Sequence, residues 1–174
     1  MPDTAATLWL PGHALNCYEG NAHLRNWLTH PGLLTERVRD ADPARFALNV
    51  LQEAADGADH LREIELCSGG RPWIVAQTRV PAATLAAHSW LTHIGGKSLG
   101  TALAEYGAMP GASVTRSELA YAQLCDDRPL IALALARAAL PSQALWTRRS
   151  TFAIDGSQLQ LLEVFLPVVG AGKL

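Results

Sequence analysis

The stretch from Trp146 to Leu166, WTRRSTFAIDGSQLQLLEVFL, decides the fold. Two apolar-rich runs, Trp146 to Ile154 and Leu159 to Leu166, flank Asp155-Gly156. Asp-Gly readily adopts the positive φ angles of a tight hairpin turn, so the runs are predicted to pair as antiparallel strands. Pro167 has no N–H to give a ladder and ends the second strand.

Working outward, the same signals recur. His60 to Cys67 alternates, Cys67-Ser68-Gly69-Gly70 supplies turn chemistry, and Trp73 to Val80 runs back until Pro81. That is a second predicted hairpin. Val114 to Leu124 reads as a long alternating strand and Phe46 to Leu51 as a short one. The remainder is helical or looped. Asn21 can cap a helix carrying Leu24, Trp27 and Leu28 on one face and ending before Pro31. A short helical stretch covers Leu33 to Val38, a loop with Pro43 covers Asp40 to Arg45, and a loop with Trp90 and Gly95-Gly96 leads to a helix capped by Ser98 and running to about Tyr106. Leu130 to Leu140 fits a helix by its alanines and a strand by its alternation; helix is the reading adopted. Hairpins with helices grouped elsewhere predict an α+β fold with one antiparallel sheet, in a single domain over residues 1–174.

Composition narrows the function classes. A chain of 174 residues, half of them hydrophobic and 17% charged, suits one stable core. The net charge of -2 and the absence of a Lys/Arg cluster argue against nucleic acid as a partner. The three cysteines, Cys17, Cys67 and Cys125, are odd in number and widely spaced, which suits a reducing compartment rather than a disulfide framework. Met1-Pro2-Asp3 begins no basic and apolar leader, and the most apolar segment is far shorter than a membrane span and is broken by Arg137. A cytoplasmic protein without stable membrane insertion is expected.

Alternation then isolates two charged residues. In Leu61-Arg62-Glu63-Ile64-Glu65-Leu66, Arg62 shares a face with Ile64 and Leu66, while Glu63 and Glu65 are expected to point outward. Glu163 stands beside Leu161 and Phe165 on a strand apolar on both faces, so it is buried either way. A guanidinium on an apolar face needs a partner, because an unpaired buried charge costs several kcal/mol. Two readings stay open. Arg62 and Glu163 form an internal ion pair, or Arg62 grips a ligand carboxylate with its planar fork of donors while Glu163 bonds a polar group at the ligand's other end.

Other motifs carry less. Gly95-Gly96-Lys97-Ser98 echoes the end of a phosphate-binding loop, but Leu91 stands where that motif has glycine. The six histidines offer no helical metal-ligand pair and no CxxC occurs, so no metal site is expected. Ser150 and Ser157 lie in no nucleophile-elbow setting. One of Arg148 and Arg149 shares a face with Trp146, Phe152 and Ile154, either as a second anion contact or as a snorkelling strand arginine.

These residues resemble the chorismate pyruvate-lyase family. The resemblance is carried by Leu61-Arg62-Glu63-Ile64, Cys67, Gly70-Arg71-Pro72-Trp73 and Val80-Pro81, then by Leu99-Gly100 after a Gly-Lys pair, Leu145 to Ser150, and Leu162 to Pro167, in order and at similar spacing. Trp27-Leu28 and Gly32 to Thr35 give a weaker echo. The resemblance implies helices packed on one side of the sheet, with flap segments covering a buried ligand cavity. It implies that Arg62 and Glu163 are the catalytic, ligand-contacting pair and that Leu34 and Leu99 are apolar contacts. A family member with methionine at the position of Leu34 differs little in volume there. Gln77 stands where that member has arginine; Arg79, two residues on and facing the same side, is the candidate substitute. The stretch between Leu124 and Leu145 is longer than in that member.

The implied reaction is chorismate to 4-hydroxybenzoate and pyruvate, the first committed step of ubiquinone biosynthesis. Loss of the C4 proton and the C3 ether side chain makes the ring aromatic, so the chemistry calls for no cofactor. The protein need only hold the geometry, exclude water and stabilise charge on the departing enolpyruvate. The expected partners are chorismate and 4-hydroxybenzoate, taken by a monomer. The rival reading is a non-catalytic module binding hydroxybenzoate-type ligands, like effector domains of transcription regulators. The roughly sixty residues before Arg62 lack the basic clustering of a DNA-binding helical domain.

Overall fold

The computed structural model describes residues 8–17 and 20–171. Of the three cysteines, the Cys17 side chain lies outside those described. Strands β1 (Leu10–Pro11), β2 (Ala47–Asp56), β3 (Asp59–Ser68), β4 (Arg71–Val80), β5 (Val114–Leu124), β6 (Leu145–Ile154) and β7 (Ser157–Phe165) form one seven-stranded sheet in the order β1-β5-β6-β7-β4-β3-β2. Every pairing is antiparallel. Six α-helices accompany it: α1 (Ala22–Leu28), α2 (Leu34–Ala41), α3 (Ala82–Ala87), α4 (Leu99–Gly107), α5 (Pro129–Arg137) and α6 (Pro167–Gly170). The α+β expectation holds.

The two predicted hairpins form for the predicted reason. Gly69 and Gly70 have φ of 61° and 76°, and Asp155 and Gly156 have 48° and 88°, the left-handed pair that matches strand twist. Asp155 tolerates this conformation because its carboxylate is held from outside the turn. It accepts from Tyr106 Oη at 2.6 Å and from the Ser113 N–H at 2.7 Å, pinning the end of α4 and the entry to β5.

Three expectations are corrected. First, the strand expected over Phe46 to Leu51 runs on to Asp56 and turns through Gly57, at φ 63°, into β3. Second, helices cover both faces of the sheet. One core joins Ile64, Leu66, Ile74, Phe152, Leu161 and Phe165 to the helices before β2 and between β4 and β5. A second core on the reverse face joins Val75, Ala122 and Val164 to Leu130, Ile131, Ala134 and Leu135 of α5. Helix α5 therefore occupies the stretch that fitted either helix or strand, and it caps a face that would otherwise need to be polar. Third, Glu63 and Glu65 point to that reverse face but are buried beneath α5. Arg137 from the last turn of α5 clamps Glu65 with Nε–Oε2 at 2.8 Å and Nη2–Oε1 at 2.7 Å, and Gln77 donates to Glu63 at 2.8 Å.

Strand β5 also departs from simple alternation. Its register with β6 shifts between Arg116 and Glu118, leaving Ser117 as a bulge. An extra residue flips the facing of everything beyond it. Tyr121 and Leu119 face the first core, and after the bulge Arg116 and Val114 face it too.

Candidate active site

The site is built on the face of the first core. Register places Arg62 of β3 opposite Thr78 of β4 and Thr78 opposite Leu161 of β7. Glu163 lies two residues further along β7 on that same face. Arg62 and Glu163 are thus two strand spacings apart across the sheet, about 10 Å, and about 7 Å apart along it. They share a face without touching. The internal ion pair between them does not form.

Each has other partners. Glu163 is paired with Arg148, directly opposite on β6, whose Nε donates to Glu163 Oε2 at 2.6 Å. Both are buried, and Arg148 Nη1 also donates to the carbonyl oxygens of Leu28 at 3.2 Å and His30 at 3.1 Å, in the connection from α1 to α2. Glu163 Oε1 accepts no hydrogen bond among the described residues. Arg62, 2% exposed, donates from Nη2 to the carbonyls of Gly95 at 2.6 Å and Lys97 at 2.9 Å. Its Nε and Nη1 are buried with no hydrogen-bond partner, and the nearest carboxylate oxygen, Glu53 Oε2, is 3.8 Å from Nε. Burial holds the Arg62 pKa below the usual guanidinium value, against the opposing pull of Glu53. Burying an arginine with two idle nitrogens is costly, and such groups ordinarily find a partner.

A cavity of about 300 Å³ lies between this face and helices α2 and α4. Ile64, Leu161, Leu34 and Leu99 give it apolar walls; Arg148, Glu163 and Arg116 also line it. Arg62 is not itself in the lining, but Thr78, its cross-strand neighbour, and Ser98, next to Lys97, are. Leu34 opens α2 and Leu99 opens α4, where Ser98 Oγ accepts the Thr101 N–H at 3.2 Å as an N-cap. The two helix starts meet where Gly100 packs against Leu33; a Cβ on Gly100 would fall 2.9 Å from Leu33 Cδ2.

The arrangement is an apolar slot lined by one carboxylate, Glu163, with the guanidinium groups of Arg148 and Arg116 beside it, and with Arg62 behind Thr78. The model of the chorismate lyase family matches residues 4–170. The chain belongs to the chorismate lyase family. A chorismate pyruvate-lyase of Erwinia tasmaniensis is 30% identical, over 96% of this chain and 90% of that protein. Proteins named "Probable chorismate pyruvate-lyase" are 33% identical in Halorhodospira halophila, over 96% and 92% of the two chains, and 29% identical in Coxiella burnetii, over 92% of each. Among solved structures, the effector domain of PhnF from Mycobacterium smegmatis shares the fold, with a TM-score of 0.50 at 15% identity over 77% of this chain and 88% of that one.

Within this chorismate lyase family member, the sequence-predicted residues divide. Arg62, Glu163, Leu34 and Leu99 all belong to the cavity face. Arg79 and Gln77 do not: both point to the reverse face, where Arg79 pairs with Asp56 at 2.6 Å and Asp59 at 3.4 Å. Arg79 therefore has no path to the cavity. The Gly95-Gly96-Lys97 loop turns carbonyls, not amides, toward Arg62, the opposite polarity to a phosphate cradle. Of Arg148 and Arg149, it is Arg148 that shares the face of Trp146 and Phe152 and lines the cavity, while Arg116 is a lining residue that the sequence reading did not single out. Arg148 had a signal: the tight Asp155-Gly156 turn fixes register, and counting back from it sets Arg148 opposite Glu163. Arg116 had none, because only the bulge at Ser117 brings it inward.

Proposed function

We propose that this protein is a chorismate pyruvate-lyase, splitting chorismate into 4-hydroxybenzoate and pyruvate and so opening ubiquinone biosynthesis. The single observation that carries the site assignment is Arg62, a buried guanidinium with two nitrogens that have no hydrogen-bond partner, on the sheet face that holds Glu163. A ligand carboxylate would satisfy it in the way a planar fork of donors prefers. Thr78 and Ser98 lead from the cavity to that guanidinium.

In this reading Arg62 binds the ring carboxylate and Glu163 Oε1 binds the C4 hydroxyl. The bond from ring C3 to the ether oxygen breaks, the C4 proton leaves, and the new ring double bond completes the aromatic sextet. The departing enolpyruvate takes up a proton and becomes pyruvate, so no redox equivalent is consumed. Arg148 holds the Glu163 carboxylate in place through Nε–H to Oε2 at 2.6 Å, so that Oε1 is set as the acceptor for a hydroxyl donor. Leu34 and Leu99 close apolar flaps over the ring and exclude water. The flaps are tied to the same site: Arg148 holds the carbonyls before α2, and Arg62 holds those before α4.

The test is direct. Purified protein is mixed with chorismate, without added metal or nucleotide, and the absorbance of 4-hydroxybenzoate is followed. Steady formation of the aromatic acid is expected, with Arg62→Ala slowing it about a hundredfold or more while the folded state survives. Binding without conversion would replace the lyase by a sensor module. Wild-type rates in Arg62→Ala would remove that residue from the site.

A further inference from the structure

Chorismate carries two carboxylates, and the site described so far accounts for one. The second belongs to the enolpyruvyl group on C3, the ring carbon next to the C4 hydroxyl. If Glu163 holds that hydroxyl, the second carboxylate must lie on the Glu163 side of the ring, away from Arg62. The group that stands there is Arg116.

Arg116 reaches the cavity only because of the Ser117 bulge. Bulges recur beside active sites, where they re-aim a side chain. Here the side chain is a guanidinium set over the Phe152 ring at 5.2 Å to the centroid, and Phe152 lines the cavity as well. Stacking on an aromatic face fixes the plane of an arginine and leaves its N–H edge available. Arg116 makes no hydrogen bond or ion pair among the described residues. Its electrostatic neighbours are Arg148, Glu163 and Tyr121, but Glu163 is already committed to Arg148 at 2.6 Å. Loss of solvation, and then the Arg148 charge, lower the pKa of Arg116 although the residue is exposed overall. Among the charged groups that line the cavity, Arg148 and Glu163 cancel and Arg116 remains, while Arg62 stands behind Thr78 with Glu53 Oε2 3.8 Å from its Nε.

We propose that Arg116 is the substrate-binding residue for the enolpyruvyl carboxylate, so that Arg116 in the cavity lining and Arg62 behind Thr78 and Ser98 together match a substrate with two carboxylates. This rests on the lyase reading above and adds a specificity element to it. Substrate engages both arginines. The aromatic product engages Arg62 alone. Arg116 therefore separates chorismate from simple hydroxybenzoates, and it loosens its hold as soon as pyruvate departs.

The experiment compares Arg116→Ala and Arg116→Lys with wild type for chorismate turnover and for 4-hydroxybenzoate affinity by calorimetry. Arg116→Ala is expected to lower kcat/KM for chorismate about 10- to 100-fold through one lost charge-assisted contact, with the 4-hydroxybenzoate Kd within about twofold of wild type. Arg116→Lys, which keeps the charge, should recover part of the loss. Unchanged kcat/KM in Arg116→Ala would overturn the assignment, as would equal losses of chorismate and 4-hydroxybenzoate binding. Absence of turnover in the wild type, run alongside, would instead bring down the lyase reading itself.

Discussion

Arg148 and Glu163 face each other across β6 and β7, with Nε–H of the arginine bonded to Oε2 of the glutamate at 2.6 Å and both side chains buried. The pair uses one carboxylate oxygen and leaves the other to the cavity. Its Nη1 donates to the backbone carbonyls of Leu28 and His30, so the arginine is a strut as well as a counter-ion. Removing either partner leaves a buried charge without compensation, and the cost of that generally exceeds the net worth of the pair. Arg148→Ala is therefore expected to destabilise the fold by about 3 kcal/mol. Urea denaturation measures it; a loss below about 1 kcal/mol would mean that the pair behaves as a surface ion pair.

Glu163→Gln separates charge from shape. The amide can still meet Arg148 through its oxygen, but it no longer offers an anionic acceptor to a ligand hydroxyl. Affinity for 4-hydroxybenzoate should fall about tenfold, the worth of one charge-assisted hydrogen bond. Calorimetry giving the wild-type Kd would show that Oε1 does not touch the ligand.

Much of this site can be read from alternation and turn chemistry alone, and the reasons mark where such reading stops. Arg62 and Glu163 are placed on one face by a period of two that a central strand keeps. The Gly69-Gly70 and Asp155-Gly156 turns are local chemistry. The burial of Glu65 is not local: a Glu-Ile-Glu alternation looks like a strand with one wet face, and only the docking of α5 with Arg137 makes those acids internal. Arg116 is hidden for a different reason, because a bulge leaves no reliable mark in a run such as Val114-Thr115-Arg116-Ser117-Glu118. Arg79 was misplaced by chemistry rather than geometry. Its facing toward Gln77 was legible, and that facing is what keeps it off the cavity.

The clamp of Arg137 on Glu65 has a pH signature. Hydrogen bonding from Arg137 is the largest influence holding the Glu65 carboxyl below its usual range, with burial opposing it and Asn49 assisting. A depressed carboxylate pKa contributes stability above the unfolded value of about 4.3, and that contribution is lost as pH falls through the lower folded value. Arg137→Ala should therefore be clearly less stable than wild type at pH 7, with the gap closing in acid once Glu65 is protonated in both proteins. Urea curves at pH 7 and near pH 3 test this; a gap that does not change with pH would assign the effect to lost packing instead.

Cys67 is predicted to be chemically silent. Burial, and then the neighbouring Glu65 charge, push its thiol up to about 11. Only about one molecule in a thousand would carry the reactive thiolate at pH 8. Cys125, by contrast, is exposed. Alkylation of the native protein at pH 8, mapped by mass spectrometry, should label Cys125 and spare Cys67 until urea is added. Prompt labelling of Cys67 would show that β3 opens from the sheet far more readily than its burial implies.

The flaps set the last expectation. Leu34 and Leu99 are 4% and 2% exposed, at the starts of two helices whose preceding loops are each held by a site arginine. An aromatic product lying beneath them cannot leave until those contacts open, so release should be slower than chemistry and a burst of 4-hydroxybenzoate should precede the steady rate. Truncating a wall residue weakens that hold. Leu99→Ala removes about 2 kcal/mol of apolar contact, shared between the fold and the ligand. The variant should show a smaller burst and weaker inhibition by added 4-hydroxybenzoate, at some cost in stability. Stopped-flow traces that are linear from the first turnover in wild type would show that product release is not the slow step, and the flaps would then serve only to exclude water during the elimination.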